Sequence, residues 1–232
     1  NYENRGKARS RYMQGRLGGA ENYKKAFLEK LNEVYASGED LKISTDSLPV
    51  LKRGDGRNIT GPRVLEQKQP GLYTVSWHPV GGQPDLSVLC ALSDAIQSME
   101  GVELRLAPDE TAYVINLTAA EAERVLDITE NNTAKTEFEG SVSCIGAAVC
   151  QVGVRDSQSL LRACVEAVQK AGLPADALPK IHISGCPSSC GTHQTGVMGF
   201  RGAAKKVNGK AESAFLPVSY THLRAHETLS DL

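Results

Sequence analysis

Charge imbalance is the first thing this sequence lacks. Its 232 residues carry 26 Lys and Arg against 27 Asp and Glu, a formal net charge of -1. That balance gives no electrostatic basis for binding nucleic acid or an anionic membrane. No apolar run is long enough to span a bilayer, so no membrane partner is expected. No secretory signal is visible: the start, Asn1-Tyr2-Glu3-Asn4-Arg5-Gly6-Lys7, is polar and reads as the entry to a helix. No flavin or nicotinamide fingerprint is present either. The first residue is not Met, and the chain is expected to be a fragment of a longer protein. What the sequence does have is cysteine, six in all. Six cysteines without an export signal point to a reducing compartment, the cytoplasm, and to metal or redox use rather than disulfides. With 41% hydrophobic residues the chain can build one or two globular cores.

Four of the six cysteines form a pattern. Cys144 and Cys150 make a C-x5-C pair, and Cys186 and Cys190 make a C-x3-C pair within Ser184-Gly185-Cys186-Pro187-Ser188-Ser189-Cys190-Gly191. Both pairs sit in Gly-rich, helix-poor stretches, where Gly and Pro let the backbone curl around a bulky inorganic group. Four thiolates suit zinc or an iron–sulfur cluster. Structural zinc favours tight C-x2-4-C knuckles, and the first pair is wider than that. The spacing therefore favours a cluster over zinc, and either over four unrelated thiols.

The surrounding periodicity places these loops. Tyr23, Phe27, Leu28, Leu31 and Val34 recur at helical spacing; Tyr35 to Pro70 reads as a loop-rich connection with one or two short strands. From Gly71 the order is strand (71–80), helix (85–99, with Leu86, Leu89, Leu92 and Ile96 on one face), strand (102–106), strand (112–117), helix (119–126, capped by Thr118). That order is half a ferredoxin-like sandwich and predicts a sheet with one face needing a partner. Beyond Phe138, residues 141–143 form a strand that delivers Cys144, Asp156 or Ser157 caps a helix to about Ala171, and residues 180–184 form a strand that delivers Cys186. A further strand runs over 196–201, and each cysteine pair follows a strand end.

The two cysteine motifs resemble the cluster motif of the siroheme nitrite and sulfite reductases. Asn4-Arg5-Gly6-Lys7-Ala8-Arg9-Ser10-Arg11-Tyr12 resembles the Asn-Arg-x-x-Ala-Arg-x-x-Tyr stretch that closes that family's first half, and 71–126 is similar to its second ferredoxin-like half. The resemblance implies an α+β fold: a ferredoxin-like half-domain of nitrite/sulfite reductase type, then the start of a mixed α/β siroheme and 4Fe–4S domain. The implied divisions are 1–65, the end of a preceding siroheme-domain repeat plus connection; 66–133, the half-domain; and 134–216, the cluster domain. The stretch from Val218 to Thr228 is similar to the conceptual translation of a transposon-end adapter, so 217–232 is expected to be non-native, His222 and His226 included. The resemblance further implies that Cys144, Cys150, Cys186 and Cys190 hold the 4Fe–4S cluster and that Cys190 also bridges to siroheme iron. It implies six-electron reduction of nitrite or sulfite, with ferredoxin as donor. The basic residues that grip the anion are expected in a missing first half, so the chain alone is expected to be inactive and its substrate undivided between the two.

Other residues read less sharply. Arg105, at a strand end, is a candidate contact for a siroheme carboxylate or else a solvated strand-end Arg. Cys164 and Cys90 read as buried small side chains on helix faces. His182 alternates with Ile181 and Ile183 and is expected to point away from their face, His193 is a loop histidine near the second pair, and Lys205 and Lys206 read as a solvated turn. An iron–sulfur electron-transfer module without siroheme and a zinc-stabilised domain are the competing readings.

Overall fold

The computed structural model describes residues 12–43 and 50–219. The basic stretch 1–11 and the segment beyond Ser219, with His222 and His226, lie outside the described residues. The chain divides after Pro49 into two units. In the first, α1 (Met13–Arg16) and α2 (Ala20–Ala36) realise the expected helical stripe. None of their residues is buried, and Phe27 is 58% exposed.

The second unit holds two sheets. The first contains β1 (Val64–Glu66), β2 (Tyr73–Trp77), β3 (Glu103–Leu106) and β4 (Ala112–Leu117) in the order β1-β2-β4-β3, all antiparallel. Helices α3 (Leu86–Gln97) and α4 (Ala119–Thr129) supply the ferredoxin-like order with β1 added at one edge. Strand alternation sends Tyr73, Val75, Trp77 and Val114 into a core with Leu92 and Ala95 of α3 and Ala122 and Val125 of α4. Fully burying such a side chain is worth about 1.5–3 kcal/mol, so this core dominates the stability of the unit. The opposite sheet face carries Ser76, Tyr113 and Arg105 in register.

Two details of α3 depart from the sequence reading. Leu86 is exposed, because the inward face runs through Leu89, Leu92, Ala95 and Ile96 and then Met99, not through the first turn. Cys90, one residue past Leu89, is rotated out of that face and is exposed rather than buried. Helix α4 begins as expected. Glu121 N–H donates to Thr118 Oγ1 (3.3 Å) and Thr118 N–H donates to Glu121 Oε2 (2.8 Å), a reciprocal capping box. The Lys52 ammonium, its side chain only 9% exposed, lies 2.5 Å from the same carboxylate. Burial opposes ionisation of Glu121, but the Lys52 ammonium and the Thr118 N–H outweigh it and hold the carboxyl below its ordinary range. Asp55 accepts from Ala120 N–H (3.0 Å) and Arg57 pairs with Glu123 (2.7 Å), so the segment that precedes β1 is strapped along α4.

The second sheet has the order β5-β6-β7-β8, from β5 (Val142–Ser143), β6 (Ile181–Ser184), β7 (Met198–Val207) and β8 (Lys210–Ser219). β5, β6 and β7 are parallel neighbours; β7 and β8 are antiparallel. Helix α5 (Ser157–Ala171) crosses between β5 and β6. Asp156 caps it by accepting from Ser159 N–H (3.0 Å), and Gly172 ends it in the left-handed conformation. Its Leu161 and Val165 pack with Phe138, Ile181 and Ile183, and Cys164 lies partly buried beside them, as the spacing predicts. Strand β7 outruns the expected 196–201: Lys205 and Lys206 are exposed strand residues, and the turn is Asn208-Gly209, both at positive φ. β8 continues through Val218, which is buried against Gly199.

Removing the two halves of the α4 cap should separate their roles. Thr118→Ala is expected to cost about 1 kcal/mol. Glu121→Ala, which also strands a buried Lys52, is expected to cost about 2–4 kcal/mol. Urea unfolding of the two variants checks the order.

Candidate functional site

Parallel pairing of β5 with β6 brings their carboxyl ends side by side. Cys144 N–H donates to Ile183 O (3.0 Å), extending the ladder past β5. Both cysteine-bearing loops therefore leave the same edge of one sheet, the usual place for a ligand in an open α/β sheet. They are also joined directly. Gly185 N–H donates to Cys144 Sγ (3.1 Å), and Val154 and Arg155 N–H both donate to Gly185 O (2.9 Å each). The backbone of the second loop rides over the first at Gly185, where a Cβ would fall 2.5 Å from Arg155 O and 3.1 Å from Gly146 Cα. No other residue fits there.

Within each loop the turns are closed by backbone bonds. Cys150 N–H donates to Gly146 O (2.8 Å) and Gly153 N–H to Cys150 O (3.0 Å). Ser188 N–H donates to Cys186 Sγ (3.4 Å). Ser184, fully buried at the end of β6, accepts from Gly191 N–H (3.1 Å) and is 2.9 Å from His193 Nδ1. His193 is thus a buried strut of the loop rather than an exposed loop histidine. His182 Nδ1 lies 2.8 Å from Thr192 Oγ1, and burial lowers the pKa of its imidazole and favours the neutral ring. The sequence reading named Ser184 only as part of the motif; its buried hydroxyl organises the return of the chain from Cys190.

None of the six cysteines is in a disulfide. Among the described residues, no three Cys, His, Asp or Glu side chains are gathered as a metal-holding group. What comes together is the pair of loops and the Cys144 thiol with the Gly185 amide. The donor set nevertheless fits a thiolate-bound cluster in kind: four thiols on two loops that leave adjacent strand ends, two of them already accepting backbone N–H bonds of the sort that stabilise bound thiolates. Arg105 stands apart, on the open face of the first sheet, where it pairs with Glu103 (3.0 Å) and is 57% exposed.

A cleft of about 500 Å³ lies between the open face of the first sheet and the start of β6, lined by Arg63, His78, Thr111, Tyr113, Lys135 and Lys180 among others. His78 Nδ1 is 2.9 Å from Thr111 Oγ1, while its Nε2 is buried with no hydrogen-bond partner among the described residues. Burial first, then the Lys180 charge, lowers the His78 pKa and favours its neutral form.

No family model matches the chain. Curated relatives do. It is 27% identical over 191 residues to the ferredoxin–nitrite reductase of Synechococcus elongatus, covering 79% of this chain and 36% of that protein. It is 26% identical over 219 residues to the chloroplastic ferredoxin–nitrite reductase of Betula pendula (89% and 35%) and 30% identical over 167 residues to that of Zea mays (68% and 28%). By these likenesses the chain belongs with the nitrite/sulfite reductases. It spans about a third of the length of these relatives. The fold agrees: the Mycobacterium tuberculosis NirA protein superposes with a TM-score of 0.55 at 20% identity, over 72% of this chain and 32% of that one.

One titration is dictated by the geometry beside Cys144. Glu110, from the turn between β3 and β4, accepts from Ser143 N–H at both oxygens (3.0 and 3.2 Å). Burial pushes its carboxyl from 4.5 up to about 7, against the pull of that N–H, and Asp109 adds to the rise. A carboxyl raised on folding lends stability that is complete below its unfolded value and lost as pH rises through the folded one. Chain stability should therefore fall as pH rises from 4.5 to about 7 through this group, and Glu110→Gln should flatten that slope in urea titrations.

Proposed function

We propose that the chain is the cofactor-bearing part of a ferredoxin-dependent nitrite or sulfite reductase, and that Cys144, Cys150, Cys186 and Cys190 hold its 4Fe–4S cluster. The observation that carries this reading is the exit of both cysteine loops from adjacent parallel strand ends, tied by the Gly185 N–H on Cys144 Sγ. Nitrite is the favoured substrate and ferredoxin the favoured donor, because the curated relatives are ferredoxin–nitrite reductases. Reduction of nitrite to ammonia takes six electrons, of sulfite to sulfide likewise. Siroheme and the cluster supply, when bound, an iron that takes the anion and a store that passes electrons singly.

The chain's own residues would do the rest. Cys190, exposed in the second loop, is the thiol that would hold siroheme as well as the cluster. Gly185 and Ser188 N–H groups donate to Cys144 and Cys186 Sγ and would keep these bonds when the sulfurs hold the cluster. Gly191 N–H is taken by Ser184 and holds the loop. Ile145, Val149 and Val152 are exposed around the first pair, an apolar rim suited to exclude water from a bound cofactor. Arg105 is proposed to face a siroheme carboxylate, which requires exchanging its present partner Glu103. Holding the cluster takes rearrangement of side chains within the two loops. No described helix is long and apolar enough to cross a membrane; the six cysteines, none of them in a disulfide, fit a reducing compartment, and we place the protein in the cytoplasm.

Anaerobic reconstitution of the chain with iron and sulfide tests this. Iron and sulfide should bind in equal amounts, be lost in Cys144→Ser and Cys186→Ser, and persist in Cys164→Ser. Cys190→Ser should lower siroheme uptake more than Cys164→Ser does. Zinc binding without sulfide, or equal losses from all variants, would overturn the assignment.

A further inference from the structure

Among the described residues β5 is the edge strand of its sheet, so the Ser143 N–H on its outer side has no described strand to pair with. The partner comes instead from the ferredoxin-like layer. Glu110 offers both carboxylate oxygens to that N–H. It does so from a left-handed backbone position, φ 68°, that glycine would occupy more readily. Beside it, Gln158 of α5 donates through Nε2 to Gly81 O and Ser143 O (2.9 Å each) and sits 3.3 Å from Cys144 O. Ser157 Oγ donates to Cys144 O (2.6 Å) and lies 3.2 Å from Cys144 Sγ. The Gly81-Gly82 turn makes room for both side chains. A Cβ at Gly81 would fall 2.3 Å from Gln158 Oε1, and one at Gly82 would fall 3.0 Å from Glu110 Cβ.

The last residue of β5 is thus gripped from two elements, one in each layer, immediately before the first cysteine of the pattern. A carboxylate in a strained turn is poor design for stability alone, since Gly would relieve the turn. Its position makes sense if it fixes the backbone that leads from Ser143 into Cys144. We propose that Glu110 and Gln158 are positioning residues for Cys144, clamping the end of β5 so that the thiol meets the Gly185 amide at a fixed place. The proposal rests on the cluster reading for its purpose, but the clamp itself acts in the metal-free chain.

The test uses the whole chain without metal and reads three signals: hydrogen exchange at the Ser143 amide, the rate of Cys144 alkylation mapped by peptide mass, and the same rate at Cys164. Glu110→Gly eases the turn while removing the carboxylate. It should speed Ser143 exchange and Cys144 labelling on the order of tenfold and leave Cys164 unchanged. Gln158→Ala should do the same. Glu110→Gln, which keeps one acceptor, should restore protection part-way. After reconstitution, Glu110→Gly should alter the electron paramagnetic resonance signature of the reduced cluster relative to the parent. Unchanged Cys144 labelling in both variants overturns the clamp, as does a parallel rise at Cys164, which would mark general loosening. If the exchange results hold and the parent chain takes up no cluster, the cluster reading fails and the clamp stands.

Discussion

The register of β5 against β6 is the constraint on which the rest depends. Two strands of this sheet lie parallel and adjacent, so the chain leaves both at one edge, and Cys144 N–H on Ile183 O carries the ladder into the first loop. Parallel neighbours need a long crossover, and α5 provides it. The distance between the cysteine pairs in sequence is therefore the length of a helix and its flanking turns. A shift of β5 by one residue would turn Cys144 to the other face and break its bond with Gly185. Glycine at 185 lets the second loop lie on the first at backbone distance.

The sheet that carries the loops has little core of its own. Five buried apolar residues hold α5 on it, against twelve in the ferredoxin-like layer. At about 1.5–3 kcal/mol for each large buried side chain, the first layer is the stronger support. That explains why polar groups from it reach across to the edge of β5. Glu110 and the Gly81-Gly82 turn tie the weaker layer to the stronger one at the residue before Cys144. The same economy shows in Ser184 and His193, which fill the space under the second loop with a hydrogen-bonded pair rather than apolar bulk.

Much of this was legible in the sequence because it is written locally. The strand-helix-strand-strand-helix order, the Thr118 cap, the Asp156 cap and the strand ends before Cys144 and Cys186 all follow from periodicity and turn chemistry. The phase of α3 was not: the apolar set from Leu86 to Ile96 admits two neighbouring faces, and only packing on Trp77 and Val75 selects the one that leaves Cys90 outside. The length of β7 was hidden because Ala203 to Lys206 has no apolar alternation; its partner strand holds it through backbone bonds. Lys52 with Glu121, and Glu110 with Ser143, join residues far apart in the chain, and no short motif announces them. Gathering of the thiols is a different matter: spacing brings the loops to one edge, but four like side chains have no mutual attraction to draw them together without a metal.

These four cysteines are proposed to enclose one cubane cluster. Mössbauer spectroscopy of the chain reconstituted with isotopically enriched iron and sulfide tests it most directly. The account predicts a single valence-averaged, all-sulfur cluster signal whose iron content matches one cubane per chain. Isolated ferric or ferrous sites with no bound sulfide would contradict it.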